Sequence, residues 1–325
     1  MSKKTIAVLH PGEMGAAVGA CLFARSARVV WASGGRSPAT RSRAESAGLE
    51  DLSLVERAVG AADVVLSVCP PHAALSLARE VARRGFRGIY VDANAVSPDT
   101  ARQVARVVEA AGATFVDGGI IGPPPVRAGT SRIYLSGGAA PEVAALFAGS
   151  NLEAIPLEGP VGAASALKVC YAAWTKGATA LLAAIRVLAE HEGVERALLA
   201  EWKLSQPGLD KRSEAVIVQA RKAWRWVGEM EEIAASFEAT GLPGGFSLAA
   251  AEIYNTLRAF KGGGDAPALQ EVIAAIRQGA RKRKAAASAR RRSPVRKDES
   301  PAKAKFKFGT GAGKLDLTKP HRFLK

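Results

Sequence analysis

TIAVLHPGEMGAAVGACL, residues Thr5 to Leu22, decides how the rest of the chain is read. Ile6-Ala7-Val8-Leu9 is a short apolar run of the kind that forms a strand buried on both faces of a parallel sheet. A glycine-bearing turn follows it, and then an Ala/Gly-rich segment suited to a helix packed tightly on that strand. In the dinucleotide fingerprint G-x-G-x-x-G the first glycine makes the tight turn and the second lets backbone approach a pyrophosphate. The third lets the helix close on its strand, and the phosphates lie on N–H groups at the helix N-terminus. His10, Gly12 and Gly15 occupy those positions, so the first glycine is replaced and the other two stand. A dinucleotide on this turn would touch Gly12, Glu13, Met14 and Gly15.

Arg28-Val29-Val30-Trp31-Ala32 reads as the second strand and closes a βαβ unit. The loop just beyond it sets cofactor preference, because a carboxylate there suits the ribose hydroxyls of NAD, whereas a 2′-phosphate calls for basic or hydroxyl side chains. Here the loop is Ser33-Gly34-Gly35-Arg36-Ser37, with Arg41 and Arg43 beyond and no carboxylate before Glu45. A guanidinium engages a phosphate through two parallel hydrogen bonds, so NADP (NADPH) is favoured over NAD, with Ser33 and Arg36 as its contacts.

Further core strands are expected at Ala62–Cys69, Gly88–Asn94, Thr114–Asp117, Ser131–Gly137 and Leu152–Leu157, alternating with helical stretches such as Pro98–Ala111. That alternation predicts an α/β fold, a Rossmann-type doubly wound and mostly parallel sheet. Its ligands would lie beyond the strand C-termini, where the loops after Leu9, Ala32, Cys69, Asn94 and Asp117 converge. After Gly162 the pattern changes. Ala163 to His191 reads as one long buried helix, and amphipathic segments follow, broken at Gln206-Pro207-Gly208, Gly241–Gly245 and Gly262–Gly264. The expected division is a dinucleotide-binding domain over residues 1–160, an all-α domain over 161–279, and a disordered basic tail over 280–325.

The 325 residues carry a formal net charge of +15, which suggests a nucleic-acid partner until the charge is located. Residues 281–325 hold sixteen Lys and Arg against three Asp and Glu, a balance of +13 that leaves +2 for the body. Nucleic acid or another acidic partner is thus expected only through that tail. Three widely spaced cysteines and four histidines without ligand spacing predict neither disulfides nor a metal site. No signal-peptide core follows MSKK, and no apolar run is read as reaching the roughly 20 residues of a membrane helix, so a cytoplasmic setting without membrane attachment is expected. Glu229, Glu231 and Glu232 read as a solvated helix face in preference to a lining of the substrate cleft, and Trp224 and Trp226 as core or interface residues.

Taken together, HPGEMG, VDANAVSP, VDGGIIGPPP and GEMEEIA…GLPGGFSLAAAEIY resemble the β-hydroxyacid dehydrogenase superfamily over about residues 5–270. More narrowly, they resemble a branch whose C-terminal domain is similar to that of phosphogluconate dehydrogenase and whose substrate is unassigned. The family motif G-x-x-G-x-G-x-x-x-K-x-x-N-N falls on Gly159-Pro160-Val161-Gly162-Ala163-Ala164-Ser165-Ala166-Leu167-Lys168, then Tyr171 and Ala172. The resemblance implies that Lys168 is the general acid/base, that Cys69, Pro70 and Asn94 line the nicotinamide and its ribose, and that the chain is a homodimer. It also implies a small carbonyl or hydroxyl substrate. A lysine among apolar neighbours facing a cleft would have its charged form disfavoured, which suits that role. Two departures concern the substrate. The asparagine pair is Tyr171 and Ala172, and the carboxylate-binding loop is Asp117-Gly118-Gly119-Ile120-Ile121-Gly122-Pro123, leaving Ile121, Gly122 and Tyr171 as substrate contacts in a more apolar pocket. The loop also resembles imine reductases, which makes C=N reduction the alternative chemistry.

Overall fold

Eight strands form one sheet in the computed structural model, which describes residues 4–25, 27–262 and 265–292. The strands are β1 (Thr5–Leu9), β2 (Arg28–Trp31), β3 (Glu50–Asp51), β4 (Val64–Ser67), β5 (Ile89–Asp92), β6 (Thr114–Ile121), β7 (Ser131–Ser136) and β8 (Leu152–Pro156). Their order across the sheet is β3-β2-β1-β4-β5-β6-β7-β8, with every neighbouring pair parallel except β6–β7. The order reverses between β1 and β4, which is the switch point where an open α/β sheet receives its ligand.

Helices α1 (Glu13–Cys21), α2 (Pro38–Ser46), α3 (Val55–Gly60), α4 (Ala74–Arg83), α5 (Pro98–Ala110) and α6 (Ala140–Ala145) flank the sheet. The strand period of two divides its apolar residues between two layers. Ile6, Val8, Trp31 and Leu66 pack toward α1 and α6, whereas Ala7, Leu9, Val65 and Tyr90 pack toward α3, α4 and α5. A third core gathers α7 (Ala163–His191) with α10 (Ala215–Ala223), α11 (Trp226–Ala239), α12 (Gly245–Thr256) and α13 (Leu269–Arg292); α8 (Glu195–Ser205) and α9 (Leu209–Arg212) lie between them in the chain. The chain up to Lys282 forms one compact unit.

Sheet and helices are joined at a buried carboxylate. Asp117, in β6, accepts hydrogen bonds from the Ser165 N–H at 2.9 Å, the Ser165 hydroxyl at 2.6 Å and the Ser136 hydroxyl at 3.1 Å. The Ser136 oxygen in turn accepts from the Ala164 N–H at 3.2 Å. A carboxylate thus satisfies the first turn of α7, where the helix dipole favours negative charge. Gly119 lets the helix come this close, since a Cβ there would lie 2.6 Å from the Ala164 carbonyl oxygen and 3.2 Å from Lys168 Cβ.

Several expectations are corrected. β6 does not end at Asp117 but runs to Ile121, because Gly118 packs against Asp92 and Ala93 at the end of β5, Gly119 slips under α7, and Ile120 and Ile121 continue the ladder against β7. β3, two residues long, is too short to leave a sequence pattern. Helix α7 is not buried throughout: Leu167, Tyr171, Trp174, Leu181 and Leu188 lie exposed along one face. By length and composition alone α7 would cross a membrane; one side of it packs on β6, α11 and α12. Helix α13 carries the chain past Gly279 to Arg292, its Ala/Arg/Lys composition being good helix-forming material, so the basic tail does not begin at residue 280. Residues 293–325, the rest of the expected disordered segment, lie outside the described residues.

Replacing Asp117 with Ala leaves the Ser165 and Ser136 donors unpaired in the core and is expected to cost about 3 kcal/mol, read from urea unfolding. Gly119→Ala, which forces α7 outward, is expected to cost about 1–3 kcal/mol in the same assay.

Candidate functional site

The turn after β1 keeps the division of labour that its glycines suggest. A Cβ on Gly12 would meet no atom within 4 Å, so this face is open to an approaching ligand. A Cβ on Gly15 would lie 2.9 Å from the His10 carbonyl oxygen, which makes that glycine a packing requirement. Gly12 caps α1 without any side-chain hydrogen bond, and the first N–H groups of the helix remain available for an anion. His10 takes φ +64°, the left-handed conformation that the missing glycine would have adopted freely.

What holds His10 there is Arg36. Its guanidinium nitrogens lie 2.7 Å from Nδ1 and 3.3 Å from Nε2 of the imidazole. Burial and then the Arg36 charge lower His10 to about 4, so the ring is neutral near pH 7 and offers an acceptor nitrogen to the cation. Arg41 reaches the Ser33 hydroxyl at 3.4 Å. A carboxylate does stand under this loop, though not where the sequence suggested looking: Asp51 of β3 accepts from the N–H groups of Ser33 and Ser53 at 3.1 and 2.8 Å. Burial opposes its charge, but those hydrogen bonds and Arg41 hold it below the ordinary aspartate value. On the other side of the turn Glu13 pairs with Lys222 and Arg225, and its carboxyl is lowered chiefly by the hydrogen bond from Lys222. Met14 packs against the core under β1.

The crests of β4 and β5 are tied together by Asn94. Its oxygen accepts from the Cys69 N–H at 2.5 Å and its NH2 donates to the Ser67 hydroxyl at 2.9 Å, so both ends of the buried amide are occupied within the protein. Cys69 is pushed up to about 12 by burial and by the Asp92 charge, which removes it as a nucleophile. Asp92 accepts from the Asn94 N–H at 2.9 Å, but its second oxygen has no hydrogen-bond partner. Burial raises its carboxyl to about 7; the Asn94 hydrogen bond opposes this and the charge of Asp117 adds to it. Pro70 is exposed at the start of the next segment.

Lys168 stands over Gly119 of β6. It lies on the buried side of α7, with 17% of its side chain exposed, and its Nζ is 3.7 Å from Glu229 Oε1. Lys176, two turns further along the same side of α7, ion-pairs with the other oxygen of Glu229. Glu229 is thus not on a solvated face but buried between two amines, and it stays charged: burial raises its carboxyl, yet Lys176 and Lys168 bring it below the usual value. Lys176 is lowered to about 8 by burial, against the pull of Glu229, and its Nζ lies 5.2 Å from the centre of the Trp226 ring. Neighbours of Glu229 on α11 locate the cluster. Gly228 faces Pro71 after β4, and Glu232 accepts from the Ser97 N–H at 2.7 Å and the Thr100 hydroxyl at 3.0 Å after β5. Only Glu231 of the three glutamates is exposed.

The expected substrate contacts lie on β6, in the turn after it and on α7. The residue of β6 that meets Lys168 is Gly119. Ile121 is buried and paired with Arg132, while the turn at Gly122 folds back on Thr130 and Ser131. Tyr171 is 48% exposed on the outer face of α7. Sequence reasoning missed Lys176; its spacing of eight from Lys168 on an Ala-rich helix was the available signal. Among the described residues no group of three or more His, Cys, Asp or Glu is arranged to hold a metal.

The chain is similar to several known proteins. Residues 189–257 match the model of a domain of unknown function, DUF1932. A solved conserved protein of unknown function, whose structure is described as similar to 3-hydroxyacid dehydrogenases, is 28% identical, with 79% of this chain and 98% of that one covered and a TM-score of 0.60. The 3-hydroxyisobutyrate dehydrogenase of Mycobacterium tuberculosis, solved with L-serine, is 22% identical, with 85% and 99% covered and a TM-score of 0.61. An uncharacterized 28.5 kDa protein of Methanothermus fervidus is 30% identical over 168 residues, a match that spans 51% of this chain and 63% of that relative.

Two outcomes are expected from the crest and the turn. Because Asp92 has a raised value in the folded state, the unfolded chain releases its proton first, and stability falls as pH rises from about 4 to about 7. Asp92→Asn should remove that part of the decline in melting temperature. His10→Gly should relieve the left-handed backbone, a gain of about 1 kcal/mol in unfolding free energy, offset by the loss of the Arg36 contact. Arg36→Ala in the same background reads the two effects separately.

Proposed function

We propose that the chain, which resembles the β-hydroxyacid dehydrogenases in fold, is a dehydrogenase or reductase that moves hydride between NADP and a small carbonyl or hydroxyl substrate, with Lys168 handling the proton. The observation that carries this reading is the position of Lys168, half-buried on α7 and paired with a glutamate whose helix touches the loops after β4 and β5.

The residues present suit a nicotinamide dinucleotide. Gly12 is open, the N-terminus of α1 is uncapped, and Ser33, Arg36 and Arg41 gather where a 2′-phosphate would be recognised. Such a cofactor, when bound, supplies or accepts the hydride. The protein's own part is positioning and proton transfer. Lys168 Nζ gives a proton to the substrate oxygen during reduction and removes one from the hydroxyl during oxidation. Cys69, Pro70 and Asn94 shape the crest beneath the reacting ring, Asn94 by fixing the Cys69 backbone. Ile121, Gly122 and Tyr171 would contribute contacts to the substrate.

A homodimer suits the exposed face of α7. Leu167, Tyr171, Trp174, Leu181 and Leu188 recur at helical spacing, and Trp174, Leu181 and Leu188 are at least 60% exposed.

Three measurements test these statements. In a screen of NADPH oxidation over aldehydes, keto acids and cyclic imines, Lys168→Ala should lower kcat by about 10²–10⁴-fold while NADPH binding persists. Activity confined to imines, independent of Lys168 and abolished by Tyr171→Phe, would instead assign C=N reduction. Arg36→Ala should weaken NADPH binding at least about tenfold while leaving NADH nearly unchanged, the loss of one charge-assisted phosphate contact. Leu181→Glu should turn a dimer into a monomer in light scattering.

A further inference from the structure

Two half-buried lysines share one buried carboxylate, and the sharing is uneven. Glu229 Oε2 is taken by Lys176, whereas Oε1 makes no hydrogen bond and faces Lys168 Nζ at 3.7 Å, beyond hydrogen-bond reach. On a helix that rises 1.5 Å per residue, positions 168 and 176 are about 12 Å apart along the axis, so both side chains must extend toward a carboxylate lying between them. Further contacts fix that carboxylate and its partner. The Tyr254 hydroxyl donates to the Lys176 carbonyl at 2.5 Å, Trp226 meets Tyr254 edge-on at 5.0 Å between ring centres, and the Lys176 ammonium stands over Trp226.

We propose that Glu229 and Lys176 are positioning residues for Lys168: Glu229 aims its amine at the crest, and Lys176 occupies the carboxylate so that Lys168 is not clamped in a closed ion pair. The proposal rests on Lys168 being the proton-handling group. Opposite charges at hydrogen-bond distance in a poorly solvated site hold a proton on the lysine, which would block its transfer. Without any carboxylate, two cations on the same side of α7 would stand together with no counter-charge. A carboxylate committed elsewhere at one oxygen and left 3.7 Å away at the other avoids both extremes. Three other ionisable groups on the packed elements are engaged elsewhere. Asp117 of β6 holds Ser165, Glu232 of α11 holds Ser97 and Thr100, and Tyr254 of α12 holds the Lys176 carbonyl.

The test reads the uncharged fraction of Lys168 directly and needs no substrate. Cyanate carbamoylates neutral amines, and the extent at Lys168 is followed by peptide mass spectrometry on the full chain at pH 8. Glu229→Gln should accelerate labelling of Lys168 at least threefold, because the attraction that holds its proton is gone. Lys176→Met should slow it at least threefold, because Glu229 is then free to close on Lys168. Changes of opposite sign support the pair. No change in either variant, or acceleration in both, overturns it. Unfolding can only accelerate labelling, so slowing in Lys176→Met decides the matter even where Glu229→Gln does not fold.

Turnover separates this proposal from the reading of Lys168 itself. With the best substrate of the screen, Glu229→Gln should lower kcat at least tenfold with KM little changed, and should have no further effect in a Lys168→Ala background. If Lys168→Ala retains full activity, the assignment of Lys168 fails. If Lys168→Ala is inactive and Glu229→Gln is not impaired, only the positioning pair fails.

Discussion

The carboxylate of Asp117 is the constraint on which the molecule depends. It sits on a central strand and receives the first turn of the 29-residue helix that begins the all-α half of the chain. Burying a carboxylate is costly unless its lone pairs are met, and here two serine hydroxyls and a helix N–H meet them. The cost of burial thereby becomes a demand for one geometry, since no other placement of α7 satisfies Asp117. Lys168 lies one turn beyond Ser165, so the same interaction fixes where its side chain leaves the helix. Gly119 completes the arrangement, since a side chain there would press on Ala164 and Lys168 and keep helix and strand apart.

Around this joint the protein concentrates buried and half-buried charge. Lys168, Lys176, Glu229 and Asp92 lie where isolated ions would be strongly disfavoured. They persist because each is answered in part: Glu229 by two amines, Lys176 by Glu229 and the face of Trp226, Asp92 by the Asn94 N–H and by a raised proton affinity. Partial compensation is also what a proton-transferring site requires, because a fully satisfied ion has no reason to change its charge. Further out, Glu13 and the cations Lys222 and Arg225 bridge the dinucleotide turn to α10, so the helices close over the turn through ion pairs and not through apolar packing.

Much of this was legible. A buried strand followed by H-P-G-E-M-G and an Ala/Gly-rich helix announces a dinucleotide fold, and seven of the eight strands leave apolar runs that locate them. Lys168 stands out through its place in a glycine-flanked motif. β6 was legible only to Asp117, because two glycines read as a loop unless one knows that the end of β5 covers one and α7 the other. Glu229 was read as solvated since Glu, Glu and Glu within four residues give no sign of which one turns inward; Lys176 supplies the reason, and it lies 53 residues away. Asp51 escaped for a similar cause, being brought beneath Ser33 by a strand of two residues.

By itself the sequence determined the alternation of strand and helix, the two glycines of the turn, the extent of α7 and the presence of one lysine near its start. These are local properties, set by periodicity, backbone freedom and side-chain volume along a few consecutive residues. Tertiary structure alone decided which charges meet: Asp117 with Ser165, His10 with Arg36, and Glu229 with both Lys168 and Lys176. Ion pairs and hydrogen bonds join residues that no local pattern relates, and their partners emerge only once packing has fixed which side chains lack water.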